Sequence, residues 1–148
     1  MSRLAAIEGW FEPLRLARAA GMPMFGTCAG MIMLADTVLD ARADQETVGG
    51  LDVVVRRNAF GRQVDSFETE LSVPALGDEP FPAVFIRAPW VESVGSSIEI
   101  LAEITEGTRA GTIVAVRHAG LLATSFHPEL GPDVRFHRMF VEIVQGSR

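Results

Sequence analysis

Phe25-Gly26-Thr27-Cys28-Ala29-Gly30 is the stretch on which the reading of this chain turns. It lies between a short apolar run, Met22 to Thr27, and a run of helix formers, Ala29 to Ala35. A strand that breaks abruptly into a helix, with a nucleophilic side chain at the break and glycine on both sides, is the nucleophile-elbow pattern, here with Cys in place of Ser. Such a turn is tight and strained, so Gly26 and Gly30 are expected to remove side chains that would clash. The strain lifts the sulfur out at the carboxyl end of the strand, where substrates bind in α/β sheets. The helix that begins there presents backbone N–H groups and a positive dipole end, and both are expected to favour the thiolate. The Ala29 N–H is then positioned to stabilise an oxyanion during acyl transfer. A lone cysteine is more often a small buried hydrophobe; the flanking glycines in a strand–turn–helix context favour a nucleophile.

A thiol nucleophile needs a base, and the base needs a group that holds its tautomer. The chain has three histidines. His118, ahead of Ala119-Gly120, reads as a hairpin-turn residue, and His137 as a solvated or packing residue of a terminal helix. His127 follows the apolar run Leu121–Phe126 and precedes Pro128-Glu129. In an extended segment residues two apart share a side, so Glu129 is expected to reach the His127 ring, with Pro128 fixing the backbone between them.

Working outward, residues 1–20 read as helix in two pieces, interrupted at Trp10-Phe11-Glu12-Pro13, with Pro13 in the first turn of the second piece. Gly21 and Pro23 end it. Strands are expected at Leu51–Arg56, Phe67–Val73, Ala83–Arg87, Ile98–Ile104, Thr112–Arg117 and Leu121–Phe126. Residues 132–145 read as a helix with Val134, Met139, Phe140, Ile143 and Val144 on its apolar face. Helices, then many strands, then a helix suggest an α/β sheet whose later strands form hairpins. The chain opens on helix where an open α/β sheet usually opens on a strand.

At 148 residues the chain suits one domain, with 48% hydrophobic and 22% charged residues. A net charge of −6, without clustered Lys and Arg, argues against nucleic acid as a partner. No apolar run reaches membrane-spanning length, and Met1-Ser2-Arg3-Leu4 does not open a signal peptide, so no membrane partner and a cytoplasmic location are expected. The single cysteine excludes an internal disulfide and a thiolate zinc site. The spacing of His127 and His137 fits no metal signature, and neither a metal nor another cofactor is expected.

Gly26-Thr27-Cys28-Ala29-Gly30 and Ser125-Phe126-His127-Pro128-Glu129-Leu130 together resemble the triad motifs of class I glutamine amidotransferases. More narrowly, the chain resembles the family of glutaminase subunits of pyridoxal 5′-phosphate synthase. That resemblance is carried by the segment from Arg57 to Glu68, by Phe85-Ile86-Arg87-Ala88-Pro89 and by Pro23-Met24-Phe25. It implies a flavodoxin-like three-layer sandwich with a mixed sheet. It also implies hydrolysis of L-glutamine to glutamate and ammonia through a Cys28 thioester, with His127 as the base and Glu129 as its orienter. Ammonia would pass to a separate synthase subunit in a hetero-oligomer. Arg57, Ile86 and Arg87 match the family's glutamine contacts, and an Arg can clamp a carboxylate with paired hydrogen bonds.

Chains of that family begin with further strands and a Gly-Gly-Glu-Ser loop that are not matched here; Met1-Ser2-Arg3-Leu4 aligns with the helix after that loop. The expectation is therefore a single domain over 1–148, lacking its N-terminal strands and, as written, unstable or poorly active. Two other readings compete: the glutaminase of another class I amidotransferase or a γ-glutamyl hydrolase, and a non-catalytic binding subunit that keeps the fold. The two middle segments argue against the first, and the Cys28, His127 and Glu129 set argues for catalytic ancestry.

Overall fold

The structure, a computed structural model, describes residues 2–57 and 66–146. The opening stretch forms two helices, α1 (Ser2–Ile7) and α2 (Phe11–Ala19). They part at residues 8–10, just ahead of the interruption expected at Trp10-Phe11-Glu12-Pro13, whose last three residues already belong to α2. Gly9 takes φ 68°, and Pro13 sits in the first turn of α2, where its missing N–H leaves no bond unmade. Gly21, at φ 85°, turns the chain out of α2. β1 (Met24–Thr27) and α3 (Ala29–Leu34) flank Cys28. There follow β2 (Ala35–Leu39), β3 (Leu51–Arg56), β4 (Ser66–Leu71), β5 (Phe81–Ile86), β6 (Trp90–Val94), β7 (Glu99–Ile104), β8 (Thr112–His118), β9 (Leu121–Thr124) and α4 (Arg135–Val144).

The main sheet runs β1-β9-β8-β6-β3-β2, and β7 lies on the other edge of β8. The β1/β9 and β2/β3 pairs are parallel and the rest antiparallel, so the sheet is mixed. Among the described residues β4 and β5 pair only with each other, in a separate antiparallel ribbon. The later strands thus form the hairpins expected.

β9 shows how the sheet is buried. All four of its residues are buried, and the three apolar ones alternate between two cores. Leu121 and Ala123 face a core with Phe11, Met31 and Leu34 from α2 and α3. Leu122 faces a second core with Phe81 and Phe85 of the ribbon and Phe136 and Met139 of α4. The sheet is therefore covered on both faces, as an α/β layer architecture requires. Among the described residues no helix is long and apolar enough to cross a membrane.

Three expectations need correction. The helix after Cys28 stops at Leu34, and Ala35 already belongs to β2. β2 and β6 were not anticipated; each buries little of itself and carries Asp36 or Glu92, so neither shows a clean period-two pattern. The inner face of α4 is Phe136, Met139 and Ile143, with Phe140 partly buried, whereas Val134 and Val144 are 53% and 56% exposed. Positions 136, 139 and 143 share one helical stripe, and 134 and 144 lie off it.

Candidate active site

β1 and β9 run parallel in the register Thr27↔Thr124, so both release their chains at the same level of the sheet. From β1 the chain enters Cys28 at φ 49°, ψ −105°, a conformation that non-glycine residues rarely hold. The Cys28 N–H donates to the Thr124 carbonyl at 2.8 Å, and the Cys28 carbonyl accepts from the Met31 N–H at 3.0 Å. The elbow is thus bonded to the neighbouring strand on one side and to the first turn of α3 on the other.

Gly26 is required as expected. A Cβ there would lie 2.5 Å from the carbonyl carbon and oxygen of Gly30. At Gly30 itself a Cβ would meet nothing within 4 Å. The close approach is made by Gly26 against the backbone of α3, so only one of the two glycines is excluded from carrying a side chain.

The thiol state also departs from expectation. Burial is the largest influence and pushes the Cys28 thiol above its ordinary value, and the Glu129 charge adds to this. The Ala29 N–H and the Arg87 charge pull the other way without prevailing. Sγ is in keeping with a protonated thiol: it donates to the Ile86 carbonyl at 3.8 Å. The six-residue helix contributes its Ala29 N–H, which does not offset the desolvation.

From β9 the chain passes through Ser125 and the buried Phe126 to His127. The His127 N–H donates to the Val84 carbonyl of β5 at 2.9 Å. Its ring Nδ1 lies 2.7 Å from Glu129 Oε1. The approach was expected from an extended backbone, but a 3-10 turn over Pro128–Leu130 produces it, with Pro128 buried at the turn. Burial works against the Glu129 charge, yet the hydrogen bond from His127, a backbone N–H and the charges of His127 and His137 hold the carboxyl below its ordinary 4.5. An ionised Glu129 accepts from Nδ1–H and leaves the Nε2 lone pair free.

Ile86 ends β5 with its carbonyl on Cys28 Sγ, and Arg87 follows it just past the strand. Arg87 is exposed, at φ 45°, and its charge acts on Cys28. Arg57 makes a different contact, donating to Gln45 Oε1 at 2.6 Å. Residues 58–65 of the middle segment lie outside the described residues. His118 closes the β8–β9 turn with Nδ1 2.9 Å from the Ser97 carbonyl, and His137 packs edge-on against Phe25. Linear reasoning missed the Thr124 and Val84 carbonyls that anchor Cys28 and His127. Only the strand register brings them there, and no local motif signals it. A cavity of about 400 Å³ adjoins Gly26 and Gly30, but its lining of Leu14, Phe25, Met33, Leu34 and Phe140 suits no charged ligand. Among the described residues no group of three or more His, Cys, Asp or Glu is placed to hold a metal ion.

A mixed sheet between two covering layers, with a cysteine on a strained strand-to-helix turn beside a His–Glu pair, defines the glutamine amidotransferase class. The chain belongs to the SNO glutamine amidotransferase family, whose model matches residues 1–146. It is 61% identical to the pyridoxal 5′-phosphate synthase subunit PdxT of a Nocardioides species, over 100% of this chain and 73% of that protein. It is 57% identical to the subunit of the same name from Streptomyces coelicolor, over 100% of this chain and 71% of that protein. A crystal structure of a glutamine amidotransferase superposes with a TM-score of 0.85 at 41% identity, over 97% of this chain and 72% of that one. A glutamine amidotransferase from Thermotoga maritima shares the fold at a TM-score of 0.55 and 13% identity, over 95% of this chain and 56% of that one.

Proposed function

We propose that this chain is the glutaminase subunit of a pyridoxal 5′-phosphate synthase, with Cys28 as nucleophile, His127 as general base and acid, and Glu129 as the orienter of His127. It hydrolyses L-glutamine and supplies ammonia to a synthase subunit that builds pyridoxal 5′-phosphate from a pentose phosphate and a triose phosphate. The observation that carries the catalytic roles is the meeting of two parallel strand ends. One holds Cys28 at φ 49° with its N–H on Thr124, and the other leads to a His127–Glu129 pair at 2.7 Å.

The chemistry follows from these groups. His127 Nε2 takes the Cys28 proton as Sγ attacks the side-chain amide carbon of glutamine. The amide oxygen gains the negative charge and turns towards the Ala29 N–H. Because burial keeps the resting thiol protonated, this proton transfer belongs to the attack itself. His127 then returns its proton to the nitrogen, the C–N bond breaks and ammonia leaves a γ-glutamyl thioester. Water adds with His127 again as base, the C–S bond breaks, and glutamate and the thiol are released. Arg87, whose charge acts on Cys28, holds the α-carboxylate, Arg57 joins it on leaving Gln45, and the Ile86 backbone lines the approach to Sγ.

The test is glutamate release from glutamine by the purified protein with its synthase partner, together with labelling by a glutamine-mimicking diazoketone. Stoichiometric label on Cys28, and loss of release in Cys28→Ser, are expected. Undiminished release in Cys28→Ser would overturn the assignment.

A further inference from the structure

Thr124 is the last residue of β9, fully buried, and polar in a strand that is otherwise Leu121, Leu122 and Ala123. A buried hydroxyl at such a position must satisfy its hydrogen bond inside the protein, and the partner it finds shows what it does. Its Oγ1 donates to the Phe126 carbonyl at 3.0 Å, two residues on. That carbonyl belongs to the peptide unit joining Phe126 to His127. The N–H of the same unit donates to Val84 at 2.9 Å. The peptide plane in front of His127 is therefore held at both of its polar atoms, by β9 on one side and by β5 on the other. The direction in which the His127 side chain leaves the backbone is set by that plane and by one further torsion, φ −106°.

The backbone of Thr124 has a second task. Its carbonyl accepts the Cys28 N–H at 2.8 Å. One residue thus touches both arms of the site: its main chain fixes the elbow that carries the thiol, and its side chain fixes the peptide that carries the imidazole. The neighbouring Ser125 does not share this role, for its hydroxyl turns to Met31 Sδ at 3.5 Å and its N–H to Val114.

We infer that Thr124 is a positioning residue for the glutaminase reaction, its hydroxyl setting the direction of His127 relative to Cys28. The inference rests on the reading of Cys28 and His127 given above. The effect is one of aim: the hydroxyl is buried on the Phe126 carbonyl, and proton transfer between Sγ and Nε2 depends on the direction it sets. Misplacement of a reacting group by about an ångström costs on the order of a hundredfold in rate.

The experiment compares Thr124→Val, Thr124→Ala and Thr124→Ser in the complete complex, with kcat and KM for glutamine and a melting temperature for each. Val keeps the shape and removes the hydroxyl; Ser keeps the hydroxyl and removes the methyl. Expected are a kcat lowered about ten- to a hundredfold in Val and Ala, KM within about twofold of the parent, and kcat close to the parent in Ser. Should Val not fold, the Ala and Ser pair carries the same contrast. Equal loss in Ser and Ala, a change confined to KM, or full kcat in Ala or Val would overturn the inference. Cys28→Ser is the control that separates the two levels. If it retains glutaminase activity, the underlying assignment fails. If it is inactive while Thr124→Val or Thr124→Ala is fully active, only the role of Thr124 fails.

Discussion

Cys28 combines a backbone at φ 49° with a thiol that burial keeps protonated. Its titration has a direct consequence. With the thiol raised above its ordinary 9.0, the thiolate is scarce at neutral pH and accumulates only as pH rises beyond that value. Alkylation by iodoacetamide in the absence of glutamine should be slower at pH 7.5 than for a free cysteine peptide, and should still be climbing past pH 9. Because the Glu129 charge contributes to the shift, Glu129→Gln should lower the Cys28 value and speed alkylation at fixed pH. Rapid, pH-independent labelling of the parent protein would contradict this account. The two glycines of the elbow divide just as sharply. Gly26→Ala drives a methyl into the Gly30 backbone, which no side-chain rotation relieves, and should cost about 1–3 kcal/mol or more. Gly30→Ala meets open space inside a helix, where alanine is favoured by about 1 kcal/mol, and should be neutral or stabilising in the same urea titration.

At the scale of elements, Arg135 helps to tie α4 to the ribbon. Arg135 forks onto Asp133 at 2.6–3.1 Å and donates to the Glu79 and Pro80 carbonyls at 2.7 and 2.8 Å. It also lies over the Phe81 ring at 5.6 Å. Both side chains of the ion pair are about four-fifths buried, with 20% and 17% exposed. Arg135→Ala should destabilise the fold by about 2 kcal/mol, the scale of hydrogen bonds to a charged group. The pH dependence has a definite sign. Arg135 holds the Asp133 carboxyl below its ordinary 3.8, so the stabilisation is present above the unfolded value and is lost as pH falls through the folded one. The gap in unfolding free energy between parent and variant should narrow from pH 6 towards pH 3; a constant gap would assign the loss to packing on Phe81 instead. How far such elements are legible in the sequence depends on how local their causes are. The elbow could be read because Gly26, Cys28 and the strand-to-helix switch are contiguous, and His127–Glu129 because a proline joins them. β2 and β6 could not, since a half-exposed strand with charges at its surface has no clear period. The bonds from Cys28 to Thr124 and from His127 to Val84 join residues far apart in the chain, and only the assembled register makes them. Val134 and Val144 were misread for the opposite reason: apolar side chains near a helix suggest burial, but their phase points them outward.

Across the molecule, the ribbon of β4 and β5 shares no strand pairing with the main sheet among the described residues, yet it supplies two of the site's backbone contacts, Val84 to His127 and Ile86 to Cys28. What holds it in place is largely a seam of aromatic rings. Phe126 sits at the centre, its ring 5.7 Å from Phe81, 5.5 Å from Phe85 and 5.3 Å from Phe136, so that ribbon, sheet and α4 meet on one side chain. Edge-on and tilted rings at these separations contribute beyond the area they bury. Phe126→Ala should therefore cost about 3–5 kcal/mol, with most of the loss surviving as a cavity because neighbours from three layers cannot all close on it. Phe126→Leu refills much of that space and should lose clearly less. The effect on activity should exceed what unfolding explains. With the ribbon loosened, Val84 and Ile86 no longer sit at fixed distances from His127 and Cys28. The glutaminase kcat of Phe126→Ala should then fall about tenfold or more at a temperature well below its melting transition, where the whole population is folded. An Ala variant that is destabilised as expected but turns over glutamine at the parent rate would show that the site keeps its geometry without the seam. The register of β1 and β9 would then be sufficient to align the thiol and the imidazole.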